Sequence, residues 1–197
     1  MNTPRIIKES NSGYDYLSLE DEMFRRRELI LTGRIDDLSA LSLITQIRQL
    51  QHDSPDEEIT IFINSPGGSV QSGLALYDVI QNSSCPVRTV CLGTAASMAA
   101  IIFLSGTPGM REIYPHSKVM LHDVLVPQMR GAAHNITKMC EGLSETREIL
   151  KNLIALHTGI PDEEIENIMS DEIFYTAEEA VNNNIADIII EKENAYE

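Results

Sequence analysis

The chain has 197 residues, 43% of them apolar, which suits one domain around a single sizeable core. No apolar run reaches bilayer length, since residues 95–104 cover only about half of what a spanning helix needs, so no membrane partner is expected. The net charge of −15 excludes nucleic acid as the main partner, because a phosphate backbone demands clustered cations.

The N-terminal MNTPRIIKES lacks the apolar core of a secretory signal, and a cytoplasmic location is expected. The one basic run, Arg25-Arg26-Arg27, is flanked by acids and reads as a solvated or interface face. Asp36 or Asp37 can cap a helix whose apolar face is Ala40, Leu43, Ile44, Ile47 and Leu50. The HDSPDE stretch breaks that helix, and residues 58–64 (EITIFIN) read as a strand rich in β-branched residues. Ser65-Pro66-Gly67-Gly68 makes a tight turn, and Ser69 opens a helix to about Gln81. A strand follows over residues 87–92, ended by Gly93, and a short apolar helix begins near Ser97. Another strand covers residues 118–122. Strand, turn and helix thus alternate, which implies βαβ units, a largely parallel sheet and an α/β fold.

The last third has a different rhythm. Apolar residues at Ile136, Met139, Leu143, Ile149, Leu150, Leu153 and Leu156 predict an amphipathic helix over residues 133–157, closed by Gly159. Roughly 25 residues is twice the average helix, so this one is expected to project and pack on another subunit. His157 sits near its end, where a cationic side chain suits the helix dipole. Thr176 to Glu179 matches a capping box before a last helix, and residues 186–190 read as a closing strand. The cysteines Cys85, Cys91 and Cys140 are odd in number with no metal-type spacing, so reduced thiols and no cofactor or metal are expected.

Catalytic groups in parallel α/β folds gather where strands end, and Gly67-Gly68, Ser97 and His122 all sit at such points. A serine opening a helix is ordinarily a cap. Here small neighbours (Gly93-Thr94-Ala95-Ala96-Ser97-Met98) would let a substrate backbone reach the hydroxyl. The strand-to-helix turn exposes it as a nucleophile elbow does, though G-x-S-x-G is absent. Paired glycines leave backbone N–H groups uncovered, able to hold an oxyanion. A serine needs a base, and imidazole, oriented by a carboxylate, is the usual one. Of the five histidines, His52 and His116 fall in loops and His134 and His157 near the ends of the long helix. His122 ends an apolar strand.

Together FINSPGGSV, GLALYDVIQ, GTAASMAA, YPHSKVMLH and LIALHTG resemble the Clp protease proteolytic subunit, collinearly from about Leu29 to Ile190. The resemblance implies a crotonase-like spiral of βαβ units. Its parts are an N-terminal axial loop (1–19), a head (20–122), a handle (123–158) and the rest of the head (159–197). It implies Ser97 as nucleophile, His122 as base, and an oxyanion hole from the N–H groups of Gly68 and Met98. Gly67 and Leu125 fall in the substrate-binding segments. It also implies two stacked heptamers enclosing the sites, fed with unfolded protein by a ring-shaped Clp-type ATPase.

Departures from the family pattern fall at particular places. The family's Arg-Asp-x-Phe is here Asp171-Glu172-Ile173-Phe174, so Glu172 occupies the triad carboxylate position, with Asp171 as the alternative. Asp171 replaces an arginine that pairs across the rings. After His122 come Asp123-Val124-Leu125-Val126-Pro127-Gln128, without the glycine-rich substrate strand. Thr60 stands where an aromatic residue often helps dock the ATPase, beside the retained Phe62. These changes motivate a second reading, a weak or inactive structural subunit of a mixed ring with a sister chain. A crotonase-type acyl-CoA enzyme would share the glycine turn but does not need the A-A-S-M serine beside a strand-end histidine. An SppA-like peptidase would need a membrane anchor.

Overall fold

The computed structural model describes residues 4–10, 13–125 and 130–191. The chain opens with an antiparallel hairpin, β1 (Ile6–Ser10) and β2 (Gly13–Leu17), whose Ile7, Tyr14 and Tyr16 are exposed. Ser18 caps α1 (Leu19–Arg25) in a capping box with Asp21. Arg27 differs from the solvated face expected of its run. At φ 61 it turns its guanidinium inward to the carbonyls of Leu50, Ser54, Glu57 and Glu58, at 2.9–3.1 Å. A fork of five donors can satisfy several carbonyls that a chain reversal would otherwise leave unpaired.

β3 (Glu28–Thr32) and β4 (Ile59–Ser65) pair in parallel across α2 (Asp37–Asp53). Asp36, not Asp37, is the cap of α2: its carboxylate accepts the Ser39 N–H at 2.8 Å. The helix buries Ala40, Leu43, Ile47 and Leu50, as its periodicity predicts. Ser69 caps α3 (Val70–Gln81), which returns the chain to β5 (Val87–Ala96).

Gly93 does not end that strand. β5 runs on to Ala96, and the register with β4 slips between Ile63 and Ser65, so that Cys91 and Ala95 lie opposite residues only two apart. Gly93 lies in the bulge at φ 95 and donates its N–H to Ser117 Oγ at 2.7 Å. The bulge bends the strand. Before it, β5 pairs with β6 (Arg111–Ile113); beyond it, with β7 (Lys118–Leu121).

α4 (Met98–Leu104) follows β5, and all seven of its residues are buried. Phe103, Ile102 and Leu104 are among the largest fully buried side chains. α5 (Ala133–Thr158) stops at Gly159, φ 72, within one residue of expectation. Only Leu150, Ile154 and Thr158 of its 26 residues are buried. Met139, Ile149 and Leu156 remain exposed, so three of the seven residues of the expected apolar stripe have no cover within the subunit.

His157 corrects the expectation of a cationic helix end. Its Nε2 hydrogen-bonds Tyr77 Oη at 2.7 Å, and burial, then the nearby Arg111 charge, pushes its pKa down. The dipole is served instead by Arg111, which donates to the His157 carbonyl and forks onto Asp187. α6 (Asp162–Ser170), β8 (Ile173–Tyr175), α7 (Ala177–Asn182) and the short β9 (Ile188–Ile189) complete the chain, with Thr176 and Glu179 forming the expected capping box. The main sheet runs β3-β4-β5-β6-β9, all parallel, with β7 paired to β5 and β8 antiparallel to β7. Among the described residues no helix is long and apolar enough to cross a membrane. Cys85 and Cys91 are buried thiols and Cys140 an exposed one; burial pushes Cys91 up to about 12.

An ionic cluster fixes the base of α5. Arg147 donates to Asp123 at 2.7 Å and forks onto Glu166 of α6, while Lys151 reaches Glu166 at 2.9 Å and Asp162 at 3.4 Å. The Arg147 hydrogen bond, then that of Lys151, holds Glu166 down at about 2, against an ordinary 4.5. A depressed carboxylate pKa means its stabilisation is full above pH 4.5 and drains away as pH falls toward 2. The stability difference between wild type and Glu166→Gln is therefore expected to shrink through that window in urea denaturation. A difference constant from pH 5 to pH 2.5 would remove the clamp from the account.

Candidate active site

Ser97 links β5 to α4 at φ 56, ψ −127, a conformation L-residues rarely hold. Its N–H is donated to the Met120 carbonyl at 2.9 Å, tying the elbow to β7. The hydroxyl makes no cap hydrogen bond, so the ordinary role of a serine opening a helix is not taken. Because α4 is wholly buried behind it, the Ser97 backbone has little freedom to relax.

The SPGG turn lies against this elbow. A Cβ on Gly67 would stand 2.6 Å from the Ala96 carbonyl oxygen, 2.8 Å from Ser97 Cβ and 2.9 Å from Met98 N. One on Gly68 would stand 2.1 Å from the Ile35 carbonyl oxygen. Ile35 donates to the Gly67 carbonyl and accepts from the Ser69 N–H, at 2.9 and 2.8 Å. These two bonds flank Gly68 and leave its own N–H turned away from Ile35. Met98 is the first residue of α4, so its N–H has no intrahelical acceptor. Gly68 and Met98 line the same cavity as Ser97.

A cavity of about 380 Å³ opens here, lined by Gly67, Gly68, Ser97, Met98, His122, Leu125 and Glu172, all named from sequence. Asp171 does not line it, and Glu172 does. The antiparallel pairing of β7 with β8 ends at Leu121 opposite Ile173, so His122 and Glu172 each lie one residue beyond the paired ends. Glu172 has φ 48, a second strained residue at this wall. Neither the Ser97 hydroxyl nor the His122 imidazole takes a hydrogen bond among the described residues. Ser97, His122 and Glu172 line one cavity, and no hydrogen bond joins them. Asp123 is pinned on both sides, by Arg147 and by its own N–H to the Met169 carbonyl at 2.8 Å. His52, His116, His134 and His157 stand away from the cavity. Residues 126–128 of the anticipated substrate strand lie outside the described residues.

Other lining residues had no sequence signal. Val70, Ile101, Leu150 and Ile154 look like ordinary core positions until three helices converge. Arg34 arrives only because the β3–α2 loop bridges to Gly68 through Ile35. Among the described residues no group of His, Cys, Asp and Glu could hold a metal ion.

The close contact at Gly67 gives a matched test. Gly109 has the same φ of 87 but open space around it. Gly67→Ala is expected to cost about 1–3 kcal/mol more than Gly109→Ala in chemical denaturation. Equal costs would mean that the elbow yields freely.

A model of the Clp protease family matches residues 10–193. That span takes in both strand-end loops, the serine elbow, the long helix and the capped C-terminal helix, and it runs in the order the fold uses them. The chain therefore belongs to the Clp protease family, a family of serine-type peptidases, and its α/β architecture is the crotonase-like fold of that family.

Proposed function

We propose that the chain is a serine endopeptidase subunit that hydrolyses peptide bonds of unfolded proteins. The observation that carries this reading is the cavity that Ser97, His122 and Glu172 line together with Gly68 and Met98. His122 takes the proton from Ser97 Oγ as that oxygen attacks the scissile carbonyl carbon. The carbonyl oxygen gains negative charge and is held by the two N–H groups. Imidazolium then gives its proton to the departing amine, leaving an acyl group on Ser97. Water repeats the sequence and releases the acid. Glu172 holds the imidazole and balances its positive charge. Its extra methylene relative to aspartate must be taken up by backbone or rotamer, and its positive φ is one source of that adjustment. Hydrogen bonds long or absent in an unliganded site commonly tighten when substrate binds.

Fluorophosphonate labelling and cleavage of short unstructured peptides, without ATP, test the assignment. Ser97→Ala is expected to abolish labelling and lower kcat by at least about a thousandfold. Glu172→Gln is expected to lower kcat by about a hundredfold or more, and Asp171→Asn by less than about tenfold. Full activity in Ser97→Ala would end this reading. Larger loss in Asp171→Asn than in Glu172→Gln would transfer the carboxylate role. An assembled wild type that neither labels nor cleaves would favour the structural-subunit alternative.

We further propose the four-part division inferred above, with α5 as the handle of a seven-membered ring. The exposed Met139, Ile149 and Leu156 support burial against neighbours. The number seven, the Clp-type ATPase and a cytoplasmic setting come from the family. Stacking of two rings is expected to be weaker and salt-dependent, since Asp171 stands where the family carries an arginine and salt screens like charges. Sedimentation at micromolar concentration should give a heptamer, with more tetradecamer as salt rises. A dominant monomer would refute the ring. A tetradecamer indifferent to salt would refute the electrostatic part alone.

A further inference from the structure

We propose that Arg34 makes the cavity select peptides carrying a carboxylate next to the apolar residue at the cleavage point. The proposal rests on the peptidase reading of that cavity. Its basis is an exposed cation held in place by backbone bonds on both sides. Gly33 donates to the Asn64 carbonyl at 3.2 Å and accepts from Ser65 Oγ at 2.6 Å. Ile35 is bonded to Gly67 and Ser69 as described. The loop carrying Arg34 is therefore stitched to the strand end and the SPGG turn, and its Cα moves with the wall.

The guanidinium itself is uncommitted. Among the described residues Arg34 makes no salt bridge or side-chain hydrogen bond. It acts electrostatically on Asp36, whose carboxylate is already the cap of α2 through Ser39. Of the acids lining the cavity, Asp123 is already paired with Arg147, and Glu172 is the carboxylate given to His122 in the peptidase reading. Most of the remaining lining is apolar: Val70, Met98, Ile101, Leu125, Leu150 and Ile154. Such a surface takes an apolar side chain, and the one arginine on its rim offers a planar fork that suits a carboxylate. The net charge of −15 repels acidic peptides at a distance, but salt screens that beyond about 8–10 Å. Discrimination at the site is then left to the local cation. The carboxylate can come from an Asp or Glu side chain or from a peptide C-terminus.

The test compares matched peptides with Glu, Gln or Lys on either side of one apolar residue, each with a free and an amidated C-terminus. Wild type is expected to favour Glu over Gln by about fivefold in kcat/KM, less in high salt. Arg34→Gln should bring the ratio near one, and Arg34→Glu should favour Lys. A ratio near one in wild type, or an equal ratio in wild type and Arg34→Gln, overturns the proposal. A preference lost on amidation assigns Arg34 to the chain end; one that survives assigns it to an acidic side chain. The same ratio is read as binding, by anisotropy of labelled peptides on Ser97→Ala with and without Arg34→Gln. If nothing labels or cleaves, the peptidase reading fails, and the binding arm still decides the role of Arg34.

Discussion

The Ser97 backbone is held where an L-residue is uncomfortable, and three separate packings keep it there. Its N–H is spent on Met120, the Gly67 backbone presses on its outer side, and the fully buried α4 blocks retreat on its inner side. A strained residue persists only when its surroundings over-determine it. The surroundings here are the central elements of the fold: β5, β7, the SPGG turn and the innermost helix. A change of one methyl group at Gly67 or Gly73 meets Ser97 or Met98 at less than van der Waals distance. Much of the core thus surrounds one half-buried serine whose hydroxyl makes no hydrogen bond among the described residues.

The second constraint is the bulge in β5. A straight strand would keep β6 as its neighbour along its whole length, and β7 would have no place beside the elbow. By turning at Gly93, β5 gives its first half to β6 and its second to β7. His122 follows the end of β7, and Glu172 directly precedes β8, which pairs antiparallel with β7. Three residues far apart in the chain thus come to line one cavity. No long-range side-chain bonds are required.

Much of this was legible in the sequence, where local chemistry decides the outcome. Ser69 and Thr176 announce helix starts through their own side-chain bonds, and Gly159 announces a stop through its φ. The serine and glycine segments stood out through their combination and order along the chain, since each alone is an ordinary cap or turn. The misreadings fall where the outcome is set by distant parts of the chain. Gly93 looks like a strand end, yet Ser117 and Asn64 turn it into a bulge. Arg27 looks solvated, yet it serves carbonyls about 23–31 residues downstream. His157 looks like a dipole partner until Tyr77 and Arg111 fill that space. That Glu172 and not Asp171 lines the cavity depends on the path of the chain between α6 and β8, which residue spacing alone does not determine.

α5 is a lever held at one end. It is about 39 Å long by its rise per residue, yet its buried residues begin only at Leu150. Its fixed point is the Arg147 fork, which grips the residue that follows His122 and also the helix that leads toward Glu172. A tilt of about 5° about that point displaces the far end by about 2 Å, while atoms near the pivot shift by a few tenths of an ångström. Asp123, the residue after His122, therefore sits close to the pivot, where a tilt of the helix displaces atoms least.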